Sequence, residues 1–197
     1  MVAGVAEPLR WEVPPARWQA GDERSLTATA GPRTDLFVDP AGSAAKLTAP
    51  RLLATPPAGD FTFSARVSVE FAADFDAGVL LLHAKDDAWA KLCFEYSPQG
   101  EAMVVSVVTR GHSDDANAFV VDGPQVWLRI ARRGDAYAFH ASEDGQLWRF
   151  VRHFALPSGT PARIGFVAQS PVGEGCAVTF EEIRYAAEHL DDLRDGA

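Results

Sequence analysis

From Asp60 onward the chain alternates. Phe61, Phe63, Ala65, Val67, Val69 and Phe71 interleave with Thr62, Ser64, Arg66, Ser68 and Glu70, the period of a strand with one buried face. Further strand-like runs follow at 78–83, 89–96, 102–110, 126–132, 136–142, 147–154, 162–169 and 176–185, separated by Gly, Pro, Asp and Asn clusters. Strands at near-regular spacing, with no helical pattern between them, predict an all-β, two-sheet antiparallel sandwich. Eight of the thirteen prolines lie in residues 1–57, so residues 1–30 are expected to form an irregular arm. Residues 186–194 read as a short C-terminal helix opening an acidic tail, 186–197. Nothing between these limits splits the chain, which is read as one domain over 1–197. One hairpin is placed by its turn. Asp144-Gly145 between alternating runs predicts a type I′ turn, with Ala141 opposite Trp148 and Phe139 opposite Phe150.

Composition narrows the function more than it identifies it. The net charge is −9, and the last seventeen residues hold six acids against two bases. An acidic chain without a concentrated basic face is a poor nucleic-acid binder, since affinity there rests on neutralising phosphates. No apolar run approaches a membrane span, so no membrane partner is expected. The start, MVAGVAEPLR, lacks the basic and apolar regions of a secretory signal, and two cysteines suit free thiols in a cytoplasmic protein. Phosphate loops, dinucleotide fingerprints and a Gly-x-Ser-x-Gly elbow are missing, so no cofactor is expected. The five histidines stand apart, and Asp74, Asp76, Asp86 and Asp87 read as solvated turn acids, so no metal site is expected.

The most informative run is Trp89-Ala90-Lys91-Leu92-Cys93-Phe94-Glu95-Tyr96. Alternation sends Leu92, Phe94 and Tyr96 to the core, and Trp89, Lys91, Cys93 and Glu95 to the opposite face. A short turn over 84–88 sets His83 opposite Trp89. A four-residue turn over 97–100 pairs Glu95 with Ala102, Lys91 with Ser106 and Trp89 with Val108, with Arg110 just beyond. The expected patch is therefore His83, Trp89, Lys91, Ser106 and Arg110, with Glu95 further along; a one-residue slip would remove Ser106 and Arg110 from it. Such a patch is either a solvated sheet face or a sugar site, in which an indole stacks on a pyranose and charged groups bond its hydroxyls.

Several segments together resemble a small concanavalin A-like jelly-roll family of unknown function, often labelled "regulation of enolase protein". They are Thr34-Asp35-Leu36-Phe37, Asp76-Ala77-Gly78-Val79, Trp89-Ala90-Lys91 with Glu95, Ser106 through Gly111 with Ser113-Asp114, Ser142-Glu143-Asp144-Gly145 with Trp148, and Ile164-Gly165-Phe166 with Ser170-Pro171. The resemblance covers about residues 30–183. It implies a sandwich whose concave face is a ligand groove, and it carries over Asp35, Trp89, Lys91, Glu95, Thr109, Arg110, Ser113 and Asp114 as its polar positions. This chain departs from the family pattern at Asp115, where Trp is usual, and at Gln169, where Cys is common.

The function expected from these readings is binding of a carbohydrate or similar polyhydroxylated metabolite on the concave face, with no catalysis demonstrated by the residues. Trp89 would stack, Lys91 and Arg110 would donate, and Glu95 and Asp35 would accept. An interaction or regulatory module without a small-molecule site is the alternative. A weak glycoside hydrolase is a further one, although no Glu-x-Asp-x-x-Glu string supplies its carboxylates.

Overall fold

The computed structural model describes residues 8–21, 24–42, 45–157 and 162–196. Its strands are β1 (Arg10–Val13), β2 (Arg17–Ala20), β3 (Leu26–Thr29), β4 (Leu36–Phe37), β5 (Lys46–Leu47), β6 (Arg51–Ala54), β7 (Phe61–Val69) and β8 (Ala77–Lys85). They continue with β9 (Ala88–Tyr96), β10 (Ala102–Arg110), β11 (His112–Val120), β12 (Gln125–Arg133), β13 (Ala136–Ser142), β14 (Arg149–Ala155), β15 (Arg163–Gln169) and β16 (Ala177–Ala186). Two seven-stranded antiparallel sheets face each other, ordered β1-β6-β15-β8-β9-β10-β11 and β14-β13-β12-β7-β16-β3-β2. The two-sheet sandwich expected from the alternation is the observed architecture. The described part of the expected irregular arm, 1–30, carries three short strands that extend both sheets; residues 1–7, 22 and 23 lie outside the described residues.

The alternating residues do what their period requires. Phe61, Phe63, Ala65 and Val67 of β7 enter the core between the sheets, where they meet Leu80, Leu82, Leu92, Phe94, Ile164 and Phe166 of the facing sheet. Gly165 permits a close approach here: a Cβ on it would lie 1.9 Å from the Leu52 carbonyl oxygen of the neighbouring β6. Strands β8, β9 and β10 are buried on both faces over most of their length. That matches their near-continuous apolar sequence and means that something covers the outer face of this sheet too.

The expected C-terminal helix over 186–194 does not form. β16 runs to Ala186, and the described residues beyond it lie as loop and turns across the outer face of the second sheet. Leu190 and Leu193 are buried there on Ala131 and Ala138. Side chains of the sheet instead hold the segment in its non-helical path through its backbone carbonyls. Arg133 donates to Asp191 O, Arg129 to Gly196 O, and His140 Nε2 to Leu193 O at 2.8 Å. Burial pushes His140 down to about 4, so the ring is neutral and its Nε2–H can donate. Tertiary hydrogen bonds thus outcompete a weak local helical preference.

The Asp144-Gly145 turn also differs. Ala141 faces Arg149 instead of Trp148, and the register shifts again between Phe139 and His140, so Phe139 faces Arg152. The Asp144 carboxylate accepts from Gln146 N and Leu147 N, both at 2.8 Å, while the Ser142 hydroxyl accepts from Gly145 N at 2.9 Å. These bonds close a six-residue loop over 143–148, wider than a two-residue turn. Gly145 sits at φ +73 under the face of Trp127.

Candidate functional site

The outer face of the first sheet carries the expected residues, but a flap covers half of it. Residues 33–42 and 45–50, including the paired strands β4 and β5, fold back over β8 and β9. Leu36, Ala49, Val38 and Leu47 pack with Trp89, Leu81, Val79, Cys93 and Leu53 in a second apolar cluster. The flap is tied down by its backbone. Val38 N donates to the Ser113 hydroxyl at 2.9 Å and Ser113 N to Val38 O at 2.8 Å, while Thr34 and Ser170 exchange both backbone hydrogen bonds at 3.1 Å. Arg51 Nη1 donates to Leu47 O at 3.1 Å.

His83 and Trp89 do face one another as expected. Both are buried: Trp89 has no exposed surface, and its ring stacks on His83 at 6.4 Å with an interplanar angle of 9°. Arg163 donates to His83 Nδ1 at 3.0 Å, and burial followed by the charge of Arg163 lowers the pKa of the imidazole. Trp89 therefore forms the floor under the flap and is not open to a sugar ring.

The β9–β10 hairpin is one residue longer than expected. Its loop runs over 97–101, closed by Ser97 N donating to Glu101 O at 2.8 Å, so Lys91 pairs with Val107 and Trp89 with Thr109. Ser106 and Arg110 consequently leave the patch. Ser106 is buried on the inner side within 3.5 Å of Arg152 of the other sheet, and Arg110 is exposed at the strand end. Thr109 and Ser113 share a hydrogen bond of 2.9 Å beneath the flap. Asp114 pairs with Arg152 at the rim, 3.2 Å away. These four groups hold structure together.

Beyond the flap a pocket of about 460 Å³ remains open, and it gathers Asp35, Lys91 and Glu95. Val105 and Val107 of β10 form an apolar floor, Asp115 and Asn117 of β11 one wall, and Phe37 and Lys46 of the flap another. Gln169 and Val172 close the end at β15, and Phe75 stands at the mouth. Lys91 is 1% exposed; its ammonium donates to Gln169 Oε1 at 3.0 Å, lies 3.8 Å from Asp35 Oδ1 and sits 5.9 Å over the Phe37 ring. Asp35 is fixed in turn, since its Oδ1 accepts from Leu36 N at 2.8 Å and its carbonyl accepts from Thr48 N and Ala49 N. Asp115 and Gln169, the two departures from the family pattern, both line this pocket.

Two features of the pocket bear on chemistry. The Glu95 carboxyl has no hydrogen bond or ion pair among the described residues, and burial pushes it up to about 7, against a lowering by Lys91 and with smaller raising effects from Asp35 and Asp115. Because the folded pKa lies above the unfolded one, the neutral acid favours the fold. That contribution is complete below the unfolded pKa and is lost as the pH rises through about 7. Glu95→Gln should therefore become progressively more stable than the parent between pH 5 and pH 8 by chemical denaturation. A pH-independent difference would place Glu95 in water.

Phe75 is the second feature. It has φ 66°, a left-handed conformation that costs a residue with a Cβ about 1–2 kcal/mol. The loop enforces it: Phe75 N donates to Tyr96 O at 2.7 Å, and the buried Asp76 carboxylate accepts from Ala72 N, Ala73 N and the Ser170 hydroxyl, the last at 2.6 Å. The strain keeps an exposed aromatic ring at the pocket mouth, beside the strand end that carries Glu95.

Sequence reasoning missed Phe37, Lys46, Phe75 and Asn117. The flap pair are brought in by a long-range fold-back. β11 was unread because HSDDANAFV is almost wholly exposed and does not alternate, as suits an edge strand. Positive φ at Phe75 has no local sequence signal. Among the described residues no three of His, Cys, Asp and Glu converge as metal ligands, both cysteines are buried free thiols, and no helix is long and apolar enough to cross a membrane.

Comparison with known proteins places this architecture. "Regulation of enolase protein 1" of Saccharomyces cerevisiae is 30% identical over 123 residues, 62% of each chain, so this chain spans less than two thirds of that relative's length. The crystal structure of a functionally unknown protein from Saccharomyces cerevisiae superposes with a TM-score of 0.83 at 25% identity, covering 92% of this chain and 97% of that one. The carbohydrate-binding module CBM66 from Bacillus subtilis shares the fold with a TM-score of 0.55 at 16% identity, covering 89% and 94%. The model of the family described as "Protein of unknown function (DUF1349)" matches residues 11–188, and the chain belongs to that family.

Proposed function

We propose that this protein is a non-catalytic, cytoplasmic binding protein whose outer-face pocket takes a carbohydrate or similar polyhydroxylated metabolite. The observation that carries the reading is Phe75, held in a strained conformation at the mouth of a pocket with an apolar floor and polar walls. Strain maintained by a buried carboxylate and four hydrogen bonds has a use where the ring it positions meets a ligand. A flat apolar ring beside Lys91, Gln169, Asn117 and Glu95 suits a molecule with one apolar face and a belt of hydroxyls. The shared fold with a carbohydrate-binding module supports the reading.

Calorimetry against a panel of neutral, amino and acidic mono- and oligosaccharides tests it, with Phe75→Gly as the control variant. Glycine adopts the backbone conformation freely, so Phe75→Gly should leave stability unchanged or raise it by about 1 kcal/mol. Affinity should fall at least about tenfold, the loss of one stacked contact of about 1.4 kcal/mol. Undiminished binding by Phe75→Gly, or no binding across the panel, overturns the proposal.

A further inference from the structure

We infer that the ligand carries a positively charged amino group, seated between Glu95 and the Phe75 ring; this rests on the pocket reading above. The charges in the pocket sort by whether they are already compensated. The buried Lys91 has Asp35 at 3.8 Å, the Gln169 oxygen at 3.0 Å and the Phe37 ring. Its charge and that of Asp35 answer each other. Asp76 is spent on two backbone N–H groups and the Ser170 hydroxyl. Two carboxylates of the lining remain, half-buried Glu95 on β9 and exposed Asp115 on β11, across the floor of Val105 and Val107, and neither has an ion pair among the described residues. Lys46 is the other cation of the lining, and it is exposed on the flap.

The groups facing Glu95 are therefore Lys91 of its own strand, Asp35 and Lys46 of the flap, and Asp115 of β11. The floor and β15 offer only Val105, Val107 and Gln169, which carry no charge. With Glu95 ionised the pocket holds three carboxylates against two ammonium groups, one deficit of positive charge. Phe75 N is bonded to the carbonyl of Tyr96, so the loop delivers an aromatic ring to the end of the pocket where Glu95 stands. A half-buried carboxylate beside an aromatic face is the combination that attracts an ammonium group. A neutral hydroxyl would leave the deficit in place. An acidic ligand would add to it.

The pairing also releases a proton. Glu95 is largely protonated below pH 7, and a bound ammonium favours its carboxylate, so the acid proton passes to buffer as the complex forms. Isothermal titration of the full chain with glucosamine, N-acetylglucosamine, glucose and ethanolamine, at pH 6 in two buffers of different ionisation enthalpy, tests each part. Glucosamine should bind at least about tenfold more tightly than glucose or N-acetylglucosamine, with up to one proton released. Its affinity should rise by up to about tenfold per pH unit until Glu95 is ionised. In Glu95→Gln the proton release and the amine preference should both vanish, while binding of a neutral sugar persists. Glucose binding as tightly as glucosamine overturns the amine inference and leaves the polyol reading standing. Ethanolamine equalling glucosamine overturns the polyol reading and leaves the amine. An amine preference that survives Glu95→Gln refutes the assignment of the group, and failure of all four probes overturns both readings.

Discussion

Lys91→Met should lower the unfolding free energy by about 3–5 kcal/mol, a loss expected when one partner of a buried ion pair is removed and the other charge is left behind. The side chains of Lys91 and Asp35 are 2% and 12% exposed, so solvent cannot take over the role of the missing ammonium. Gln169 also loses the donor to its Oε1. For a domain of this size the melting temperature should fall by about 10 °C. The double variant Asp35→Asn, Lys91→Met should recover most of the loss. Asn can still accept from Leu36 N, and no unpaired charge remains. Urea denaturation of the two single variants and the double gives the coupling directly. A loss below about 1 kcal/mol for Lys91→Met, or a double variant no better than the single, shows that the charge pair is not what holds the flap base together. Lys91 is also the cation that restrains the Glu95 carboxyl, so Lys91→Met should move the Glu95 titration upward.

Trp89→Ala should cost about 3–5 kcal/mol, the range for emptying a fully packed aromatic site. The indole lies under Leu36, Ala49 and Val38 of the flap and against the His83 ring, so its removal undercuts the flap and its attachment alike. Trp89→Phe should lose less than half as much. Trp89 Nε1 is buried without an acceptor among the described residues, and phenylalanine discards that donor while keeping most of the volume. The same variants separate support from recognition. Trp89 does not line the pocket, so ligand affinity measured well below the melting temperature should change by less than about threefold in Trp89→Phe. A loss of binding at unchanged stability would return Trp89 to the role of stacking platform.

The fold class was legible because burial of one strand face leaves a period of two in the sequence, as in Phe61, Phe63, Ala65 and Val67. The His83–Trp89 pairing was legible for the same reason that short hairpins are: a tight turn leaves few registers. The next hairpin was not. Val104, Val105, Val107 and Val108 are apolar on both faces, so alternation cannot choose between registers one residue apart. The loop over 97–101 chose instead, and it sent Ser106 inward.

The sequence by itself determined which residues of β9 share a face, and so that Lys91 and Glu95 stand together while Leu92 and Phe94 enter the core. That is a local consequence of the pleat. Only the tertiary structure decided what covers that face. The flap, residues 33–42 and 45–50, packs Leu36 and Ala49 on Trp89 from 53 and 40 positions away and is tied to Ser113 and Ser170, contacts without local periodicity. It buries Trp89 and leaves the Glu95 end open. The C-terminal residues obey the same physics, held on the second sheet by the burial of Leu190 and Leu193 and by the bonds of Arg129, Arg133 and His140 to their carbonyls. Alternation reports the burial of a strand face against its own neighbours; which polar groups on it stay accessible is settled by chain segments that meet it only after folding.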